Sequence, residues 1–396
     1  MRLFIVSDTY YPKKNSGAIQ LQSLAEALVS SKHLVTVFTT GRKYSENNIN
    51  GVDVIYIKPF YYNSNHYFLR FLSEILYSLC FFVTINRYLK NNTSTANGII
   101  WYSPSIFFGP LISRLKKNLN VKALLIIRDI FPEWAIDNGI IKNSFTKFIL
   151  KGFTRLQYNQ ADFIGVQAQS NISASAKWIQ DHNKFKLNIF YNWLTPLKPK
   201  KLSHRTIDSM GVDFNNDKVF IYAGNVGDAQ DLNLFIDAAL ILMSRKDLIF
   251  LIIGRGKKLS IISKRVKDES ITNVVIRNEV ENEIIFQILP LCHAGIISLN
   301  KNHKLDNIPG KLLSYTSLGL PTLGSVNKNN ELLKLNKQFN YGFISDSGLA
   351  SDIAKGALLL ADDCAYYLAA QKNAKAFFQK FFRTELAVKK VVNFFT

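Results

Sequence analysis

The sequence predicts an α/β protein built as two tandem doubly wound domains, each a Rossmann-like parallel sheet covered by helices. Three observations carry this. At 396 residues the chain exceeds what one ordinary core fills, so two units of about 200 residues each are expected. Short, continuously apolar runs alternate with longer segments of helical periodicity, as expected for strands buried on both faces. That alternation stops at Pro196-Leu197-Lys198-Pro199-Lys200-Lys201 and then restarts. The expected division is residues 1–195, a linker over 196–206, a second domain over 207–375, and a C-terminal helix over 376–396 that packs back on the first domain. Ligands of such sheets bind at the carboxyl ends of the strands. Two such domains facing one another across a central cleft would hold theirs between them, so functional residues are sought in loops that follow strands.

The elements follow in order. Leu3 to Val6 is a short buried strand, followed by a loop and a helix from Ala18 to Val29. Leu34 to Thr39 and Val52 to Ile57 are strands, His66 to Leu89 a long helix, and Ile99 to Tyr102 a strand followed by a helix to about Leu119. Val121 to Ile127 is a strand, with helices around Trp134 and from Ser144 to Asn159. Phe163 to Val166 is a strand and Asn171 to Ile179 a helix. Beyond the break come strand Val219 to Ala223, helix Leu232 to Met243 and strand Leu248 to Ile253. Shorter strands are expected at Val274 to Ile276, Gly295 to Ile297 and Thr322-Leu323, with a short helix around Lys311 between the last two. Ala365 to Phe395 reads as helix, with Phe377, Phe378, Phe381 and Phe382 on one face.

Composition narrows the class. Hydrophobic residues make up 47% and charged residues 20%, a globular balance rather than a disordered one. The net charge is +20. Residues 1–195 carry 22 Lys and Arg against 10 Asp and Glu, a net +12, and the remainder carries +8. Such a surface attracts anionic membranes, phosphate-bearing substrates or nucleic acid. Cys80, Cys292 and Cys364 are far apart, which argues for a reducing compartment and against a disulfide scaffold or structural zinc. The apolar start ends at Asp8, too short for a secretion signal. The stretch from Tyr67 to Ile85 contains Arg70 and Glu74, so its uncharged part falls short of the ~20 residues that span a bilayer. It is aromatic-rich with basic ends, which fits either a core helix or a helix lying in a membrane interface. No Asp-x-Asp metal motif, HExxH, GxSxG or P-loop occurs, and the six histidines lack metal-ligand spacing. Gly254-Arg255-Gly256 lacks the third glycine and the downstream acid of a dinucleotide fingerprint.

Four loops after strands carry the chemistry. In Ile308-Pro309-Gly310-Lys311-Leu312-Leu313-Ser314-Tyr315, a helix opens at Pro-Gly with a lysine in its first turn, leaving backbone N–H groups beside a positive charge. Such a helix start can hold a phosphate. Asp8 to Gly17 ends in a glycine just before a helix, where backbone can approach a ligand closely, with Ser16 as the ordinary cap in the plainer alternative. Arg128-Asp129-Ile130-Phe131-Pro132-Glu133 puts charge directly after a buried strand, either at a site edge or in a salt-bridged turn. Gly224-Asn225-Val226-Gly227 follows the first strand of the second half and turns backbone amides outward.

Together, in their order along the chain, these segments resemble family 4 glycosyltransferases of the GT-B fold, in particular the WbuB-like subgroup that builds bacterial O-antigen and capsule. The resemblance implies that Gly17, Gly224, Asn225, Arg277, Asp306, Lys311, Leu312, Ser314 and Tyr315 contact the nucleotide-sugar donor. It also implies that Arg128, Asp129 and Glu133 face the reacting sugar and the acceptor. Many family members carry arginine and lysine where Asn225 and Gln230 stand here, so diphosphate charge must be met by Lys311, with Lys257, Lys301 and Lys304 as further candidates. Implied is a retaining, metal-independent transfer from a nucleotide-diphosphate sugar, with UDP the commonest base. The implied acceptor is an undecaprenyl-diphosphate-linked saccharide at the inner face of the cytoplasmic membrane, reached by a peripheral, otherwise cytoplasmic enzyme with no nucleic-acid partner. Two rivals are a nucleotide-sugar epimerase or hydrolase of the same fold, which would turn over donor without acceptor, and a basic nucleic-acid-binding protein, which would show steep salt dependence.

Overall fold

The computed structural model describes residues 1–59, 67–92, 95–103, 105–137, 139, 141–179, 186–196, 204–301 and 308–396. Two compact units result, Met1–Trp193 with Thr384–Thr396, and Leu194–Arg383. Both are doubly wound α/β units, the two tandem parallel-sheet domains expected from the sequence.

Among the described residues the first unit holds eight strands: β1 (Arg2–Val6), β2 (Leu34–Thr40), β3 (Ser45–Ile49), β4 (Val52–Ile57), β5 (Gly98–Tyr102), β6 (Lys122–Ile126), β7 (Phe163–Val166) and β8 (Leu187–Ile189). Their order is β3-β4-β2-β1-β5-β6-β7-β8, and every neighbouring pair is parallel except β3 with β4. The helices are α1 (Ser16–Ser30), α2 (Tyr67–Asn91), α3 (Gly109–Leu119), α4 (Glu133–Asp137), α5 (Ser144–Gln160) and α6 (Gln169–Ala176). Strand β1 shows why its sequence is continuously apolar. Leu3 and Ile5 pack with Leu21, Leu24 and Leu28 of α1. Phe4 meets Phe38 edge-on at 5.3 Å, and Phe38 in turn meets Tyr88 of α2 at 5.5 Å. Alternate side chains thus serve opposite covering layers.

In the second unit β9 (Lys218–Asn225), β10 (Leu248–Arg255), β11 (Val274–Asn278), β12 (Ala294–Ser298), β13 (Thr322–Ser325) and β14 (Gly342–Ser345) pair in the order β11-β10-β9-β12-β13-β14, all parallel. Counted from β9 this is the 3-2-1-4-5-6 order of doubly wound sheets. Its helices are α7 (His204–Asp208), α8 (Asn233–Ile241), α9 (Leu259–Asp268), α10 (Asn282–Ile288), α11 (Gly310–Ser317), α12 (Glu331–Phe339), α13 (Ala350–Asp362) and α14 (Cys364–Phe381). The tail expected as one helix breaks after Phe381, and α15 (Thr384–Phe395) belongs to the first unit. There Ala387, Val388 and Val391 join the core under α1. Phe377, Phe378 and Phe382 are fully buried, with Phe377 stacked on Tyr341 at 4.6 Å. Among the described residues no helix is long and apolar enough to cross a membrane.

Three strands and a cap differ from the sequence expectation. The polar run Ser45–Ile49 forms β3 because Asn50 and Gly51, both with positive φ (53° and 83°), close a two-residue hairpin onto β4. β8 and β14 are three- and four-residue strands, too short to show a period. Helix α1 is capped by Asn15, whose side chain accepts from the Ala18 N–H at 2.8 Å, and not by Ser16.

Candidate functional site

In each sheet the winding direction reverses at one point, between β9 and β12 in the second unit and between β1 and β5 in the first. Loops leaving those strands flank the crevice where ligands of such sheets sit, and of the residues singled out in the sequence Gly224 lies against Lys311 in the second unit and Gly17 against Arg128 in the first.

In the second unit, β9 ends at Gly224 and Asn225. Gly224 has φ 140°, a conformation side chains rarely adopt. A Cβ placed on it would fall 3.0 Å from Cε and 3.2 Å from Nζ of Lys311, so the lysine stem lies directly across the glycine. Lys311 is the second residue of α11, which opens at Pro309 (φ −63°, ψ 137°) with no side-chain cap. Its Nζ stands 4.7 Å from the ring centroid of Tyr222, a cation–π contact. Burial lowers the Lys311 pKa from its ordinary 10.5 to about 8, and among the described residues no carboxylate offsets this. The result is a half-buried ammonium with no counter-charge at the positive end of a helix. Free amide donors, the helix dipole and the ammonium all favour an anion at one place.

The neighbouring loops are tied to one another. Asn225 Nδ2 lies 3.5 Å from Gln230 Oε1, and that oxygen accepts from the Gly227 N–H at 3.2 Å. Asn300 after β12 donates from its backbone to Ala229 O at 3.0 Å and from its side chain to Asp228 O at 3.1 Å, joining the two loops across the reversal. Lys258 pairs with Asp228 at 2.9 Å, while Lys257 and Lys301 are exposed. Ser314 Oγ turns back to Gly310 O at 3.4 Å.

Leu312 and Tyr315 are buried in the unit's core. The Tyr315 hydroxyl reaches Ile221 O and Ile296 O, each at 3.3 Å, tying α11 to β9 and β12. Arg277 is folded onto the turn before β9, with Nε donating to Ser209 O at 3.0 Å and Nη1 to Ile276 O at 2.9 Å. Asp306 and Lys304 lie outside the described residues. Sequence reasoning passed over Tyr222 and Asn300, which read as ordinary strand and loop residues.

In the first unit, Arg128 extends from the end of β6 to the start of α1. Its Nη2 donates to Ser16 Oγ at 2.6 Å, and a Cβ on Gly17 would fall 2.7 Å from Nη1, so the glycine makes room for the guanidinium. Asp129 is held above the usual carboxylate range by burial, with Arg128 opposing. Beneath them the Tyr102 hydroxyl donates to Gln20 Oε1 at 3.1 Å, and burial pushes that phenol up to about 12 despite the nearby Arg128. Lys13 is occupied locally, donating to Asp8 O at 2.7 Å and Thr40 Oγ1 at 3.0 Å. Gly17, Arg128 and Asp129 therefore share one locality. The Glu133 carboxylate instead pairs with Lys177 at 3.1 Å among α4, α5 and α6.

No family model matches the chain, and no curated protein matches it in sequence. Solved structures do match its fold over nearly the whole length. Sucrose-phosphate synthase from Thermosynechococcus elongatus superposes with a TM-score of 0.69 at 12% identity, covering 100% of this chain and 98% of that one. Anabaena HepE, in complex with UDP-glucose, gives 0.68 at 13% identity, covering 99% and 98%. WaaG, a glycosyltransferase involved in lipopolysaccharide biosynthesis, gives 0.62 at 12% identity, covering 98% of each chain.

Proposed function

We propose that this protein is a glycosyltransferase that takes a sugar from a nucleoside-diphosphate donor, with UDP the preferred nucleotide. The observation that carries the reading is Lys311: a half-buried ammonium with no counter-charge among the described residues, at the uncapped start of α11, lying across Gly224 at the sheet reversal. That arrangement suits a diphosphate leaving group. Negative charge develops on the departing diphosphate, and preorganised donors there stabilise the transition state more than the ground state. The fold likeness to HepE in complex with UDP-glucose supports the choice of donor.

In this reading the second unit holds the donor, and the first unit takes the acceptor near Gly17, Arg128 and Asp129. No protein carboxylate is needed as nucleophile. The acceptor hydroxyl attacks the anomeric carbon on the face the diphosphate leaves, its proton passes to a diphosphate oxygen, and configuration is retained. The charge is carried by Lys311 and backbone amides, so no metal is required. The acceptor is a lipid-diphosphate-linked saccharide of a bacterial surface polysaccharide, reached from the cytoplasmic side of the membrane. The basic first half and the likeness to WaaG support this.

The test is calorimetric titration of UDP, GDP, dTDP and CMP into the wild type and Lys311→Ala. One nucleoside diphosphate should bind, and the substitution should weaken it roughly 10- to 100-fold, the range for a lost charged hydrogen bond. No binding by any nucleoside diphosphate sinks the proposal. Donor consumption without acceptor at the full rate would point instead to an epimerase or hydrolase.

A further inference from the structure

The first unit contains a second charged constellation, among α4, α5 and α6. A cavity of about 230 Å³ is lined by Glu133 of α4, Lys151 and Arg155 of α5, and Lys177 and Trp178 just after α6. The Nζ atoms of Lys177 and Lys151 stand 5.5 Å and 6.0 Å from the Trp178 ring centroid, so both ammonium groups converge on the indole. Only Lys177 has a carboxylate partner, Glu133 at 3.1 Å, and Lys151 and Arg155 form no ion pair among the described residues. Among the described residues the cluster therefore carries two uncompensated positive charges.

Two polar atoms point to a missing partner. Glu133 is 8% exposed and its Oε2 is buried without a hydrogen bond. Trp178 is 6% exposed and its Nε1–H is also buried without one. Buried groups of this kind are normally satisfied, because leaving one unpaired costs about 1–3 kcal/mol. A ligand that meets both brings an acceptor for the indole N–H and a donor for the carboxylate. It also brings negative charge for Lys151 and Arg155. A phosphate group joined to a saccharide provides all three, with phosphate oxygens for the cations and the indole and a sugar hydroxyl for Glu133.

Helix α5 shows where such a ligand would come from. One and two turns before Lys151 stand Phe148 and Phe145, 75% and 71% exposed, the most exposed large apolar residues of the protein among those described. They lie on the same exposed helical face as Lys151 and Arg155 at three- and four-residue spacing. Exposed aromatics beside cations match the surface of an anionic, phosphate-bearing lipid layer.

We infer that the α4–α5–α6 pocket seats the diphosphate of a lipid-linked acceptor, with Phe145 and Phe148 in contact with its lipid. This rests on the transferase reading for the word acceptor, but the binding chemistry stands by itself. Glu133 in this assignment contacts the ligand as well as Lys177. It fixes Lys177 over the indole and accepts from the saccharide.

The experiment is calorimetric binding of farnesyl diphosphate, inorganic pyrophosphate and farnesol to the wild type, Lys151→Ala/Arg155→Ala, Phe145→Ser/Phe148→Ser and Lys311→Ala, with UDP titrated into each. Farnesyl diphosphate should bind the wild type and Lys311→Ala equally and lose at least tenfold in Lys151→Ala/Arg155→Ala. The phenylalanine pair should weaken farnesyl diphosphate but not pyrophosphate, and farnesol should not bind. Wild-type amide-exchange protection of β1, β5 and β6 in the α5 variants shows that their first unit folds. Farnesyl diphosphate binding that is absent, unaffected by the α5 cations, or abolished by Lys311→Ala overturns the pocket. Equal affinity for pyrophosphate with no effect of the phenylalanines overturns the lipid assignment. UDP failing on the wild type, while farnesyl diphosphate binds as expected, would break the transferase reading and leave the pocket standing.

Discussion

Lys311 is placed where its charge is a burden to the folded protein and an asset to a ligand. Burial lowers its pKa from 10.5 to about 8, so between those values the unfolded chain binds the proton that the folded one has lost. The penalty on folding is therefore present in full below pH 8, fades between pH 8 and 10.5, and is gone above 10.5. Lys311→Met removes it, and at pH 7 the variant should melt above the wild type, with the gap closing toward pH 10 in differential scanning calorimetry. Diphosphate binding has the opposite sign. An anion holds the charged form, so wild-type UDP affinity should be full below pH 8 and fall as pH rises through 8, while the weak affinity of the variant stays flat. A wild-type affinity that does not change between pH 7 and 9.5 would show that Lys311 stays charged there and that burial does not lower its pKa to about 8. Gly224 is the matching test on the backbone. At φ 140° with Lys311 Cε 3.0 Å from a would-be Cβ, Gly224→Ala should destabilise the protein by about 1–3 kcal/mol and displace the lysine, weakening UDP as well. Urea unfolding monitored beside UDP titration separates the two effects.

At the scale of elements, α11 is positioned by a residue whose own side chain never reaches the surface. Tyr315 holds the helix against β9 and β12 through two 3.3 Å hydrogen bonds. Tyr315→Phe keeps the ring packing and leaves two strand carbonyls with one fewer donor. It should cost about 1 kcal/mol of stability in denaturant titration and change UDP affinity less than twofold. A large loss of affinity with little loss of stability would instead make the hydroxyl a ligand group. The sequence reading treated Lys311, Leu312, Ser314 and Tyr315 as one donor-contacting run, because a motif records spacing and not direction. A helix turns successive side chains by 100°, so the core-facing members are separable only once the neighbouring strands are placed. Buried strands such as β1 and β6 were legible because a period-free apolar run has few other uses. β3 was not, since Ser45–Ile49 carries no hydrophobic signal. Its evidence was the Asn50-Gly51 pair after it, a two-residue hairpin turn that the strand-by-strand reading overlooked. The position of Glu133 was equally hidden. Its pairing with Lys177 spans 44 residues of chain, and no local pattern encodes it.

At the scale of the whole molecule, the first unit is discontinuous. The second unit is entered at Leu194 and left at Arg383, which pair as an isolated bridge, with Leu194 N–H also donating to Phe382 O at 2.8 Å. The last thirteen residues, 384–396, then return to the first unit, where Val388 and Val391 are buried beside α1 and Phe394 stacks on Phe163 at 4.6 Å. A buried Val or Phe is worth about 1.5–3 kcal/mol each, so losing α15 should remove on the order of 5 kcal/mol, comparable to the whole stability of a domain. The loss belongs to the first unit alone, because the second ends at Arg383 with its sheet and α14 intact. A chain terminated after Arg383 should therefore show a low-temperature calorimetric transition absent from the full protein. Amide exchange should rise sharply in β1, β2, β5 and β6 and stay protected in β9, β10 and β12. UDP binding should survive at temperatures where the first unit is open, since Lys311 and Gly224 lie wholly in the second. Uniform loss of protection in both sheets would show that the two units fold as one, and that donor binding depends on the integrity of the first.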